Sequence, residues 1–212
     1  MTISKRLAAR GAANIDAQLR HPTVAGIGRG DLDPIVFRSW LEQDYLFLLD
    51  YVRVFAKLAS QAPAAHLGDF VDLVHSTWHE ELSLHREMAA TFGADLAGAV
   101  KGPACKEYTD FLLDASDDYG RGLAALLPCM WGYAELGARL DAATSGEHRY
   151  SEWIASYASP EFAALARRCA EMLDEAHDLI LVDDVTATEA FGTSLAHELA
   201  FWDVPAAGAR SR

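Results

Sequence analysis

Asp33-Pro-Ile-Val-Phe-Arg-Ser-Trp-Leu-Glu-Gln-Asp-Tyr-Leu-Phe-Leu-Leu-Asp-Tyr-Val-Arg-Val-Phe-Ala-Lys-Leu-Ala-Ser60 reads as one long helix. Aspartate before proline is an N-cap followed by the residue best tolerated at the first helical position, where an N–H would have no partner to lose. From Ile35 to Ser60 no glycine or proline intervenes, and apolar residues recur every three or four positions. The same punctuation continues outward. Pro63 ends this segment and opens another that runs to Gly93, a C-cap glycine. Gly102-Pro103 precedes a helix from Ala104 to Ala115, and a turn over Asp117–Gly122 leads to a long helix from Leu123 to Ala143 that stops near Gly146. Ser159-Pro160-Glu161 repeats the cap-plus-proline signal for a helix to Ile180. Thr186-Ala-Thr-Glu189 has capping-box spacing and opens the last helix, to Trp202.

Strand signals are poor: few runs alternate with period two, and the run Leu179–Val182 reads as a helix end. Gly26-Ile-Gly-Arg-Gly30 has the glycines of a phosphate loop but lies between helices rather than after a strand, so it reads as a helix connection. No 30–45-residue repeat is visible. The fold class expected is all-α: a compact bundle of seven or eight helices forming a single domain over residues 1–205, with 206–212 (Ala206-Ala-Gly-Ala-Arg-Ser-Arg212) as a flexible tail.

Of 212 residues, 51% are hydrophobic and 23% charged, enough apolar material for a sizeable core. The net charge of −13, with no basic run or basic helix face, argues against a nucleic-acid partner, because phosphate binders concentrate Lys and Arg. The N-terminus lacks the apolar core of a secretory signal, and no stretch reaches the ~18 apolar residues of a membrane span. Cys105, Cys129 and Cys169 show no C-x-x-C spacing, which fits reduced thiols in a cytoplasmic protein.

Chemistry shows where polar groups interrupt apolar helix faces, since a buried carboxylate needs a partner or a ligand. Asp44 shares a face with Phe47 and Leu48. It suits a planar, nitrogen-rich ligand, gripped by the acid and stacked on the ring, or else a structural pair with an Arg elsewhere. In Leu126-Leu-Pro-Cys-Met-Trp-Gly-Tyr133, Cys129 and Tyr133 lie one turn apart, and Pro128 leaves a carbonyl unbonded and predicts a kink. The thiol reads either as a small buried hydrophobe or as a nucleophile. Glu198 shares a face with Phe201 and Trp202. Burial there raises its pKa and fits it for general acid–base work, whereas a surface position leaves it a solvated glutamate. Glu81 and His85 are also one turn apart, a spacing that serves a structural hydrogen-bonded pair or half of a metal site.

In order along the chain, several segments resemble the TenA (thiaminase II) family. They are His21-Pro-Thr-Val-Ala-Gly-Ile-Gly-Arg-Gly30, Gln43-Asp44, Glu81 with Leu84-His85-Arg86, Trp153-Ile-Ala-Ser-Tyr157 and Glu198-Leu-Ala-Phe-Trp202. The most specific is Ala124-Ala-Leu-Leu-Pro-Cys-Met-Trp-Gly-Tyr-Ala-Glu-Leu-Gly137, similar to the family's block around its nucleophile. The resemblance spans nearly the whole chain and implies a haem-oxygenase-like fold. It also implies hydrolysis of thiamin-related aminopyrimidines in salvage, with no metal or organic cofactor, commonly in a homotetramer. Carried over by motif, Cys129 is the nucleophile and Glu198 moves protons for leaving group and water. Asp44 grips the ring nitrogen and exocyclic amine, Tyr133 supports the thiol, Tyr157 orients Glu198, and Phe201 stacks on the ring. Tyr108 joins the substrate-binding set. Phe47 stands where many members have Tyr, which implies recognition by stacking there. Two other classes remain in view: a di-iron oxidase on the same fold, using Glu81 and His85 with neighbouring carboxylates, and a non-enzymatic regulator.

Overall fold

In the computed structural model, which describes residues 1–203, every regular element is helical. The order is α1 (Ile3–Arg20), α2 (Pro22–Arg29), α3 (Pro34–Ala59), α4 (Ala64–Ser76), a π-helical turn (Thr77–Glu81), α5 (Leu82–Phe92), α6 (Pro103–Ala115), α7 (Tyr119–Ala143), α8 (Ser151–Tyr157), α9 (Pro160–Asp178) and α10 (Asp184–Phe201). The domain end expected at 205 and the tail expected over 206–212 lie outside the described residues.

The caps explain most boundaries. Asp33 Oδ1 accepts the Ile35 N–H at 2.9 Å, and Ser159 Oγ accepts that of Phe162 at 3.1 Å, each ahead of a proline at the first helical position. Gly93 closes α5 at φ 68°, the left-handed conformation that costs glycine least.

Other boundaries differ from the sequence reading. The Gly26–Gly30 stretch is helix rather than connection. His21 Nδ1 accepts the Thr23 N–H, Pro22 starts α2, and its two internal glycines are tolerated before Gly30 terminates it at φ 77°. The turn before α7 is shorter than expected, because Asp118 already caps the helix through the Arg121 N–H. The last helix begins earlier, with Asp183 rather than Thr186 as N-cap and the Thr186 N–H bonded to Asp183 at 2.7 Å. A carboxylate caps at least as well as a threonine hydroxyl and adds the attraction of the helix dipole. The segment from Pro63 to Gly93 is not one helix but two, joined through the π-helical turn. These divisions, with the short α2 and α8, give ten α-helices among the described residues rather than seven or eight.

Helix α7 is the hub. It packs against α10, α9 and α8, with α3 and α6 completing the surround, and its stretch from Leu123 to Met130 is buried on all sides. Pro128 sits inside it, so the Ala124 carbonyl loses the N–H that would otherwise close its turn. One glycine on this helix sets the geometry of the site. A Cβ at Gly137 would stand 2.4 Å from the Tyr157 carbonyl carbon, so only glycine lets the end of α8 approach this closely. An aromatic layer lies beside it: Trp40 stacks on Trp202 at 5.3 Å and 6°, and meets Trp153 edge-on at 5.6 Å.

Candidate active site

The sequence-predicted residues converge on one buried chamber with two lobes that share Asp44, Phe47 and Tyr133. The first lobe is a tightly packed crevice closed by Tyr108, Glu198 and Phe201. The second, with room for about 10 Å³, is lined by Leu48, Tyr51, Glu81, Cys129, Met130, Tyr157 and Phe162. Every residue proposed from the sequence (Asp44, Phe47, Tyr108, Cys129, Tyr133, Tyr157, Glu198 and Phe201) lines one lobe or both. Five helices deliver them: α3 carries Asp44 and Phe47, α6 Tyr108, α7 Cys129 and Tyr133, the short α8 Tyr157, and α10 Glu198 and Phe201. Phe47 lies 5.0 Å from the Tyr108 ring and meets Phe201 edge-on at 5.6 Å, forming an aromatic wall.

Asp44 is 3% exposed, and its partner is a histidine rather than the arginine that its burial invited. His85 Nε2 stands 2.6 Å from Asp44 Oδ2, and His85 Nδ1 stands 2.8 Å from the Glu81 backbone carbonyl. A carbonyl only accepts, so Nδ1 carries a proton, and Nε2 meets the Asp44 carboxyl. Burial disfavours a charged ring, but the hydrogen bond and charge of Asp44, with the charge of Glu81, outweigh it and raise the His85 pKa. Asp44 is thereby fixed in one orientation, with Oδ2 taken by His85. The Glu81–His85 spacing thus serves a structural pair, made through the Glu81 backbone. Both ring nitrogens are engaged in these hydrogen bonds, which does not favour the di-iron reading. Among the described residues no three His, Cys, Asp or Glu side chains converge as a metal-ligand set.

The two tyrosines divide the carboxyls differently from the sequence reading. Tyr108, not Tyr157, holds Glu198: its hydroxyl donates to Glu198 Oε1 at 2.6 Å and lies 2.9 Å from Ser194 Oγ. Tyr157 donates instead to Glu81 Oε1 at 2.9 Å. The cause is placement, since Glu198 on α10 faces α6, whereas the end of α8 faces the π-helical turn.

Burial decides the electrostatics. Glu198 is 2% exposed, and desolvation, helped by the charge of Asp44, lifts its pKa to about 8 against the pull of hydrogen bonds from Tyr108 and Cys129. Glu81 rises to about 7, again chiefly through burial, opposed by the charge of His85. Cys129 is a free thiol, 9% exposed, pushed well above the usual thiol range by burial and then by the charges of Glu198, Glu81 and Asp44. At neutral pH it therefore rests as the thiol, and its use as a nucleophile requires a base at the moment of attack.

Tyr51, Met130 and Phe162 also line the chamber without having been singled out from the sequence. Tyr51 was within reach of periodicity, lying one turn past Phe47 and two past Asp44. Its hydroxyl donates to the Leu126 carbonyl, one turn before Cys129, at 3.0 Å. Phe162 carries no such signal, being brought in by the packing of the first turn of α9.

The comparisons agree with this architecture. The chain is 36% identical over 201 residues to an aminopyrimidine aminohydrolase from Halalkalibacterium halodurans, covering 89% of this chain and 88% of the relative. Among solved structures it is similar to a TenA family transcription regulator from Silicibacter sp. TM1040, with a TM-score of 0.89 and 26% identity over 96% of each chain. A domain with a heme oxygenase-like fold from Shewanella denitrificans superposes with a TM-score of 0.77 at 14% identity, covering 97% of this chain and 93% of that one. At that identity the likeness speaks to fold, which is haem-oxygenase-like here as well. Residues 9–207 match the TENA/THI-4/PQQC family, and with the buried chamber built on its motifs the chain belongs to that family.

Proposed function

We propose that the protein is a cysteine-dependent hydrolase of thiamin-related aminopyrimidines, of the aminopyrimidine aminohydrolase type, acting in thiamin salvage. The observation that carries this reading is the enclosure of a thiol, Cys129, and a proton-shuttling carboxyl, Glu198, in one aromatic chamber with the oriented carboxylate of Asp44. Asp44 accepts hydrogen bonds from the exocyclic amine of the substrate and from its ring nitrogen in the protonated form, while Phe201 and Phe47 pack on the ring. Cys129 sulfur adds to the pyrimidine as its proton passes to the Glu198 carboxylate. Glu198 returns that proton to the departing amine on the exocyclic methylene. Water then gives a proton to Glu198 and its oxygen to the methylene, the sulfur–carbon bond breaks, and Glu198 passes that proton to the departing sulfur, restoring both thiol and carboxylate. The net change is amine plus water to alcohol plus ammonia, and covalent addition replaces one difficult displacement by two easier steps.

A homotetramer and a cytoplasmic location belong to the same proposal, the first tested by light scattering. Among the described residues no helix is long and apolar enough to cross a membrane. The regulator reading is not favoured, since the net charge of −13 opposes direct contact with nucleic acid. The deciding experiment is turnover of 4-amino-5-aminomethyl-2-methylpyrimidine, its N-formyl derivative and thiamin by wild type and Cys129→Ser. The expected loss is at least ~100-fold, the scale for removing a covalent nucleophile. Unchanged turnover would reduce Cys129 to a packing residue.

A further inference from the structure

Outside the chamber lies a larger open groove of about 200 Å³ between the π-helical turn and the α8–α9 corner. It shares four residues with the Cys129 lobe: Glu81, Met130, Tyr157 and Phe162 line both. The two spaces are therefore separated by one layer of side chains, and the Tyr157–Glu81 hydrogen bond at 2.9 Å ties that layer together. Each half of the tie is at an element's end. Glu81 is the last residue of the π-helical turn and Tyr157 the last residue of α8. π-helical turns are uncommon and cluster at functional positions, because the extra residue per turn re-aims a side chain.

The groove has a definite chemistry. Leu73, Leu84 and Leu165 wall it with apolar surface, and Glu80 and Glu161 are exposed along it. No Lys or Arg lines it among the described residues. The lobes are too tight to take a bulky substituent beside a ring, whereas the groove lies just across the Glu81–Tyr157 partition from Cys129 and is reached when that partition parts.

We propose that the groove is the leaving-group subsite and mouth of the chamber, taking a neutral or cationic substituent and disfavouring one that carries phosphate. This rests on the aminopyrimidine reading and adds to it the choice among substrates. The apolar walls accept a flat heteroaromatic or short acyl-amine group, and the two carboxylates attract a positive charge and repel a phosphate.

The test separates this inference from the reaction itself by reading binding rather than turnover. Calorimetry on the Cys129→Ser protein compares three probes: 4-amino-5-hydroxymethyl-2-methylpyrimidine, which has no large substituent, thiamin, and thiamin monophosphate. Leu165→Trp, which fills the groove without touching either lobe, should weaken thiamin roughly tenfold and leave the hydroxymethylpyrimidine within about twofold. Glu80→Lys with Glu161→Lys, both exposed and so safe for folding, should tighten thiamin monophosphate relative to thiamin by roughly tenfold at low salt. Ratios unchanged in both variants, or all three probes weakened equally, would overturn the proposal. Wild-type turnover of the aminomethyl substrate reads the hydrolase reading separately: no turnover together with the expected binding ratios refutes the reaction and upholds the groove.

Discussion

Replacing Tyr108 by Phe removes one hydroxyl and keeps the ring that packs on Phe47. In the native site that hydroxyl donates to Glu198 Oε1 at 2.6 Å and helps to hold down a carboxyl whose pKa burial has already raised to about 8. A hydrogen bond to a charged acceptor contributes about 1.5–3 kcal/mol. Its loss therefore moves the Glu198 pKa upward by roughly one to two pH units. The first step requires Glu198 as the carboxylate, so wild-type kcat/KM should rise with pH along a limb centred at about 8. At pH 7 about a tenth of the enzyme is in the competent form, and in Tyr108→Phe this falls to roughly a hundredth or a thousandth. The assay is kcat/KM for aminopyrimidine hydrolysis against pH. The expected result is a ~10–100-fold loss at pH 7 that shrinks as the pH climbs past the shifted limb. A loss equal at every pH would mean that the hydroxyl acts on substrate rather than through Glu198. A limb that falls instead of rising near pH 8 would refute Glu198 as the initial base.

Glu198→Gln should be inactive yet more stable at alkaline pH. The unfolded carboxyl ionises near 4.5 and the folded one near 8, so folding binds a proton across this window and native stability drains away as pH rises through it. The melting-temperature difference between Glu198→Gln and wild type should grow in favour of Gln from about pH 5 to pH 8 and then level off, whereas a flat difference would show that the carboxyl is not held neutral. His85→Leu leaves the buried Asp44 carboxyl without its hydrogen-bonding partner. The expected cost is about 3–5 kcal/mol by chemical denaturation, with substrate affinity lost as well; a cost below about 1 kcal/mol would show that Asp44 does not depend on His85.

Much of the fold was legible because helix ends are local events. Asp33, Ser159 and Gly93 act on backbone groups within a few residues, so their effect can be read from neighbours in the chain. Chamber membership was legible for a related reason. Asp44 with Phe47, Cys129 with Tyr133, and Glu198 with Phe201 are one turn apart, and helical periodicity alone puts each pair on one face. The same rule pointed to Tyr51. The π-helical turn was not legible, since Thr77–Glu81 contains no glycine or proline to mark it.

By itself, then, the sequence determined an all-helical bundle and the set of side chains that would face inward, because propensity, capping and periodicity are set over a few residues. Only the tertiary structure decided how those side chains pair. The Asp44–His85, Glu81–Tyr157 and Glu198–Tyr108 contacts join residues 41, 76 and 90 positions apart. Such pairing is fixed by how α3, the π-helical turn with α5, α6, α8 and α10 pack against one another around α7, which no spacing along the chain expresses. The same holds for the raised pKa values of Glu198 and Cys129. They come from water excluded on every side at once, and that enclosure exists only when all the helices are in place.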